Sequence, residues 1–251
     1  MPSIDLNCDL GESFGAYTIG CDEQILPCIT SANIACGFHA GDPSIMRRSV
    51  ELCKQYGVQV GAHPGLPDLV GFGRRKMAIT PRQAADYVAY QVGALYAFCQ
   101  AAGVPLHHVK PHGALYNMAA KDRALADAIC QAVQQSAPGA ILLALAGSEM
   151  VAAANAIGLP VASEVFADRG YQPDGTLVPR GQPGAMIEDE DQAIARVLRM
   201  AREGNVVAND GSVIQLQADS VCVHGDGPKA LAFVKNLQAA LPAAGVEVRH
   251  F

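Results

Sequence analysis

The chain has 251 residues, 50% of them apolar, with no tryptophan and a formal net charge of −6. That length accommodates one large domain with a full core, and the apolar share excludes a disordered chain. No run of Lys or Arg offers a footprint for nucleic acid, and no apolar stretch approaches the roughly 20 residues that span a membrane.

Strand and helix patterns alternate almost from end to end. The pattern predicts a strand near Ser3 to Asn7 and a second over about Ala32 to Cys36. Asp42-Pro43 reads as an N-cap with proline at the first helical position, opening a helix that buries Met46, Val50 and Cys53 and stops at Gly57. A third strand follows at Val58 to Ala62. Thr80-Pro81-Arg82-Gln83 has the form of a capping box and opens the longest helix, with a buried stripe of Ala85, Val88, Val92, Leu95, Tyr96 and Cys99. Further strands are expected at Leu106 to Lys110, Ala140 to Leu145, Val161 to Val165, Ser220 to Val223 and Val246 to Val248. Helices are expected at Leu125 to Val133, near Glu149 to Ala156, at Ile194 to Ala201 and at Ala230 to Leu241. Alternation of this kind implies parallel βαβ units, which can close into a distorted (β/α) barrel; a doubly wound open sheet fits less well, because polar clusters follow nearly every strand. No Gly-, Ser- or Pro-rich linker divides the chain, so residues 1–251 read as a single domain. Two loops are long enough to be functional lids, Pro64 to Ile79 and Phe166 to Ala185. The eight cysteines lack any CxxC pair, and the amino terminus already reads as strand, so a reducing cytoplasm is the expected compartment.

The polar clusters carry the chemistry. Alternation puts Asp5, Asn7 and Asp9 on one face of the first strand, with Glu12 at its exit; they form either an internal hydrogen-bonded network or part of a ligand site. His39, His63 and His112 each follow a strand and have a glycine within two residues, as does His224. Four histidines so placed suggest one convergent site at the carboxyl ends of the strands. Asp42 is explained as a cap. Lys110, beside His112 and Asn117, is placed to meet a carboxylate or an anion, with a pKa that falls on burial. Glu164, Asp168, Arg169 and Arg180 frame the second long loop, as surface ion pairs or as a fork for a substrate carboxylate. His107 and His108 receive no role. Asp9 with His39 and His63 can form a metal site or a metal-free acid–base cluster, and spacing does not separate the two. Phosphate-loop, dinucleotide, HExxH and GxSxG signatures are missing.

In this order and over essentially the whole chain, the motifs DLNCDLGE, SANIACGFHAGDP, GAHPG, KPHGALYN, EVFADRGY and VHGD resemble the LamB/YcsF family, the A components of bacterial ATP-dependent 5-oxoprolinase. The resemblance implies a seven-stranded, distorted (β/α) barrel like those of glycoside hydrolases and deacetylases. It also implies the reaction 5-oxo-L-proline + ATP + 2 H2O → L-glutamate + ADP + phosphate, carried out with partner subunits B and C. ATP is then a co-substrate handled with those partners. On this reading Asp9, His39, His63 and His112 form the acid–base core, and Lys110 and Asp168 stabilise charge. Asn7, Glu12, Asn117, Glu164, Arg169, Arg180 and His224 contact substrate. The sequence has His39-Ala40-Gly41-Asp42 where polysaccharide deacetylases carry an HxxxH metal pair, so a divalent metal is an open expectation. The rivals are a metal-dependent carbohydrate or amide deacetylase and a non-catalytic lactam-binding component.

Overall fold

Strand β1 (Ser3–Leu10) begins a computed structural model that describes residues 2–223 and 230–251. It is followed by a short helix α1 (Asp22–Ile25), β2 (Ser31–Ala35), α2 (Pro43–Tyr56), β3 (Gln59–His63), α3 (Pro81–Ala102) and β4 (Leu106–Val109). Next come α4 (Gly113–Ala119), α5 (Arg123–Ser136), β5 (Ile141–Leu145), α6 (Glu149–Ile157) and β6 (Val161–Phe166). Helix α7 (Glu190–Glu203), a small hairpin of β7 (Asn205–Val207) and β8 (Val213–Gln215), β9 (Ser220–Val223), α8 (Ala230–Ala243) and β10 (Glu247–Val248) complete the order. The strands β1-β2-β3-β4-β5-β6-β9 pair in parallel, and β9 pairs back onto β1, closing a seven-stranded barrel; β10 adds to the amino-terminal end of β1. The doubly wound alternative is thereby excluded.

The predicted caps set the helix ends. Asp42 accepts hydrogen bonds from the Ser44 and Ile45 amides at the start of α2, and Gly57 ends it in the left-handed conformation at φ 70°. Thr80 and Gln83 form the reciprocal capping box of α3. One face assignment is corrected. Tyr96 is 38% exposed, and Gln91 takes the inward place, its side-chain amide donating to Gly65 O and accepting from Gly65 N, each at 2.9 Å. A buried amide is tolerated there because both ends are satisfied.

The core lies between barrel and helices. On β1, Leu6, Cys8 and Leu10 are buried toward the helices, while Asp5, Asn7 and Asp9 point into the barrel. Strand register aligns Asp9 with Asn33, Asn33 with Gly61, and Gly61 with His108. A Cβ on Gly61 would stand 2.0 Å from His108 Nε2, so glycine is required there for an imidazole to fit inside the barrel.

Candidate active site

The polar interior is satisfied from the floor upward. Asp5 accepts from Thr30 Oγ1 at 2.5 Å, from Ser31 Oγ at 2.6 Å, and from Ser220 Oγ. Burial raises its pKa above the ordinary carboxylate value, and the three hydroxyls offset part of that rise. Asn7 donates to Ser220 Oγ at 2.7 Å and accepts from Asn33 Nδ2 at 2.7 Å, while Asn33 Oδ1 accepts from His108 Nε2 at 2.8 Å. Burial holds His108 well below 6.5, hence neutral. In this lower network each of these side chains has a hydrogen-bond partner, and Asn7 links it to the layer above.

Above it sits a charged layer. Lys110 Nζ lies 2.7 Å from Glu164 Oε1 and 3.1 Å from both Asp9 Oδ1 and Asn7 Oδ1. The expected fall of its pKa is corrected. Burial does pull it down, but the carboxylates of Asp9 and Glu164 outweigh burial and hold it well above 10.5. Lys110 is therefore a fixed cation. Tyr116 donates to Glu164 Oε2 at 2.6 Å, which orients that carboxylate. Burial opposes ionisation of Asp9, yet the contacts with His63 and with the Lys110 ammonium prevail and hold its pKa well below the usual range. Its Oδ2 lies 3.2 Å from His63 Nε2.

Two main-chain carbonyls set the histidine tautomers, since a carbonyl can only accept. His63 Nδ1–H donates to Lys110 O at 2.7 Å, and His112 Nε2–H donates to Phe72 O at 2.8 Å. The remaining nitrogens, His63 Nε2 and His112 Nδ1, face each other at 3.0 Å. Burial pushes His112 down to about 3, and His39 well below 6.5. His39 stacks on His112, ring centroids 3.7 Å apart, with its Nε2 3.8 Å from Glu12 Oε1. The Phe72 carbonyl is delivered at a conformational cost, because Phe72 has φ +53°, and at Gly73 a Cβ would meet His39 and His112 at 2.7 and 2.8 Å. The loop 64–80 is thus pressed onto the histidines. One ligand atom from each of Glu12, His39, His63 and His112 falls within 4.8 Å of the others, so this group can hold a metal.

A cavity of about 510 Å³ opens over Asp9, His63, Lys110 and His112. Arg74, Lys76, Lys121, Arg169 and Arg180 line it, so it favours an anionic ligand.

The LamB/YcsF family profile matches residues 4–251. The chain belongs to the LamB/YcsF family. It is 60% identical over 248 residues to a protein of Bacillus subtilis (strain 168) named as the A subunit of 5-oxoprolinase, covering 99% of this chain and 96% of that one. Among solved structures, the lactam utilization protein of Thermus thermophilus is 49% identical and superposes with a TM-score of 0.93, covering 99% of this chain and 100% of that one. A family 4 carbohydrate esterase from Streptomyces lividans, 11% identical with a TM-score of 0.51 over 98% of this chain and 91% of that one, shares the fold alone.

In this member of the family the barrel brings together Asn7, Asp9, Glu12, His39, His63, Lys110, His112 and Glu164. Asn117, Arg169 and Arg180 lie on the cavity wall, while Asp168, which follows β6, is not among its lining residues. Arg169 is buried and donates to Ala185 O and Val178 O, so its guanidinium braces the long loop; burial lowers its pKa to about 10. His224 lies outside the described residues. Sequence reasoning missed Asn33, Phe72, His108, Tyr116 and Cys222. Period-two alternation from Lys110 back to His108 and helical spacing from His112 to Tyr116 were the available signals; nothing local pointed to the Phe72 carbonyl. No helix among the described residues is long and apolar enough to cross a membrane.

Proposed function

We propose that this chain opens the ring of 5-oxo-L-proline to L-glutamate, as the A component of an ATP-dependent 5-oxoprolinase with partner subunits B and C. Relatives bear the 5-oxoprolinase name, and the solved neighbour is called a lactam utilization protein. The observation that carries the reading is the Asp9–His63 pair on the floor of a cation-lined cavity.

A five-membered lactam is an unreactive amide. Phosphorylation of its carbonyl oxygen by ATP turns that oxygen into part of a leaving group and makes the carbon electrophilic. Water then adds to that carbon, giving up a proton to the Asp9–His63 pair, and the ring nitrogen takes a proton as the C–N bond breaks. The acyl phosphate left behind is hydrolysed by the second water to the glutamate carboxylate and free phosphate. Lys110 keeps its own proton and holds Asp9 ionised and in place. Arg180, on the cavity wall and exposed to it, is the guanidinium for the substrate carboxylate, and Arg169 beside it braces the loop through Ala185 O and Val178 O. The missing phosphate-loop signature fits ATP being handled wholly or partly by subunits B and C. A cytoplasmic location suits the unbridged buried thiols of Cys8, Cys36, Cys53, Cys99 and Cys222.

The test is release of glutamate and phosphate from 5-oxoproline and ATP, by the chain alone and then with subunits B and C. Turnover is expected only in the complete set. No glutamate from the complete set would overturn the reading, and robust turnover by the chain alone would overturn the division of labour.

A further inference from the structure

The two locked tautomers leave an arrangement that neutral imidazoles do not tolerate by themselves. His63 spends its Nδ1 proton on Lys110 O, and His112 spends its Nε2 proton on Phe72 O. If both rings are neutral, each turns a lone pair toward the other across 3.0 Å. Asp9 Oδ2 adds a third electron-rich atom, 3.2 Å from the same His63 nitrogen. Three electron-rich atoms this close repel unless a proton or a metal cation is shared among them.

The neighbouring groups point the same way. His39 is fully buried, and neither of its ring nitrogens has a hydrogen-bond partner among the described residues. A polar side chain so placed costs free energy unless a ligand completes it. Its Nδ1 faces Gly65, where a Cβ would come within 2.7 Å, so the Nε2 edge is the one turned toward Glu12. Metal-ligating histidines commonly donate their second N–H to a carbonyl or carboxylate that orients the ring, as His63 and His112 both do. Ligand atoms about 2.1 Å from one ion are spaced about 3.0 Å apart at a right angle and about 3.4 Å apart in a tetrahedron.

We infer that His63 Nε2 and His112 Nδ1 bind a divalent first-row transition metal, with Glu12 and His39 Nε2 completing its shell once side-chain rotation has turned His39 out of its stack on His112. Imidazole-rich donors favour zinc, copper, iron or nickel over magnesium or calcium, which prefer all-oxygen sites. With an ion present, His63 is a ligand and Asp9 stays an anion beside it. Bound there, the ion would supply Lewis acidity beside the cavity. The inference stands on donor geometry and does not depend on the identity of the substrate.

The test uses the full-length chain, stripped with chelator and titrated calorimetrically with ZnCl2 and, separately, NiCl2. One ion per chain with micromolar or tighter affinity is expected for at least one metal. His63→Gln and His112→Gln should each weaken it at least about 100-fold, the upper end of what losing an outer-shell partner alone costs. His107→Gln, at a ring that contacts Phe251 at the far side of β4, should change it less than threefold. Cobalt substitution of the unmutated chain reads the ligands without any variant and should give visible bands of a nitrogen-bound, four- or five-coordinate ion. Absence of stoichiometric binding, or binding indifferent to both substitutions, would overturn the site. So would ¹⁵N spectra of the stripped and metal-supplied chain that show the same His63 imidazolium, because a proton would then be the shared cation. Binding is measured without substrate, so metal uptake without lactam turnover defeats only the proposed function, and turnover with no stoichiometric metal binding defeats only the site.

Discussion

Replacing Lys110 by methionine should be among the most damaging single changes outside the apolar core. The side chain is 3% exposed, and its ammonium holds two carboxylates, Glu164 at 2.7 Å with its side chain 0% exposed and Asp9 at 3.1 Å. Methionine fills nearly the same volume, so the loss is electrostatic and leaves two buried acids without their counter-ion. Breaking a buried pair from one side costs about 3–5 kcal/mol, and for a chain of this size each kcal/mol lowers Tm by about 2–4 °C, giving a drop of about 6–20 °C. Circular dichroism melts of the two proteins measure it. The sign of the pH dependence follows from the raised pKa of Lys110. Its contribution is fully present below the unfolded value of 10.5 and is lost only as pH rises through the higher folded value, so the gap should stay constant between about pH 6 and 9. Adding Glu164→Gln to Lys110→Met should restore part of the loss, because it removes one of the stranded charges. A Tm drop under about 2 °C, or a double variant whose losses simply add, would show that Lys110 is not the cation that holds this layer together.

Other outcomes can be read from single sites. Asp9→Asn should lower turnover of the complete three-subunit system at least about 10²-fold with its fold retained, checked by steady-state rates beside circular dichroism. Arg180→Lys should raise KM for 5-oxoproline roughly 10- to 150-fold with little change in kcat, the cost of a charged hydrogen bond; an unchanged KM would move the carboxylate to Arg74 or another cation of the wall. Gly61→Ala should cost about 1–3 kcal/mol or more by overpacking His108, and His108→Ala in the same chain should relieve it, as urea denaturation midpoints would show. Thr80→Ala should cost about 1 kcal/mol through loss of the α3 cap while turnover stays unchanged.

Local chemistry made much of this protein legible before any contact was known. Proline after Asp42 or Thr80, with glycine at 57 and 103, marks helix ends through backbone geometry that neighbours in the chain impose by themselves. Period-two alternation likewise put Asp5, Asn7 and Asp9 on one face of β1, and the repeated polar strand exits identified the end of the barrel that carries the site. What the chain alone left open was partnership. Whether Lys110 is neutral or charged depends on Asp9 and Glu164, which reach it from distant strands, Asp9 from 101 residues away in sequence, and only closure of the barrel sets those distances. Arg169 looked equivalent to Arg180 until the folded loop supplied carbonyls that occupy it. His108, at the start of a strand, carries no role in the sequence, because Gly61, which opens the space for it, lies on another strand. The tautomers of His63 and His112 depend on the Lys110 and Phe72 carbonyls, whose positions follow from backbone path and not from residue type. Periodicity says which way a side chain faces, whereas register and closure decide what it meets.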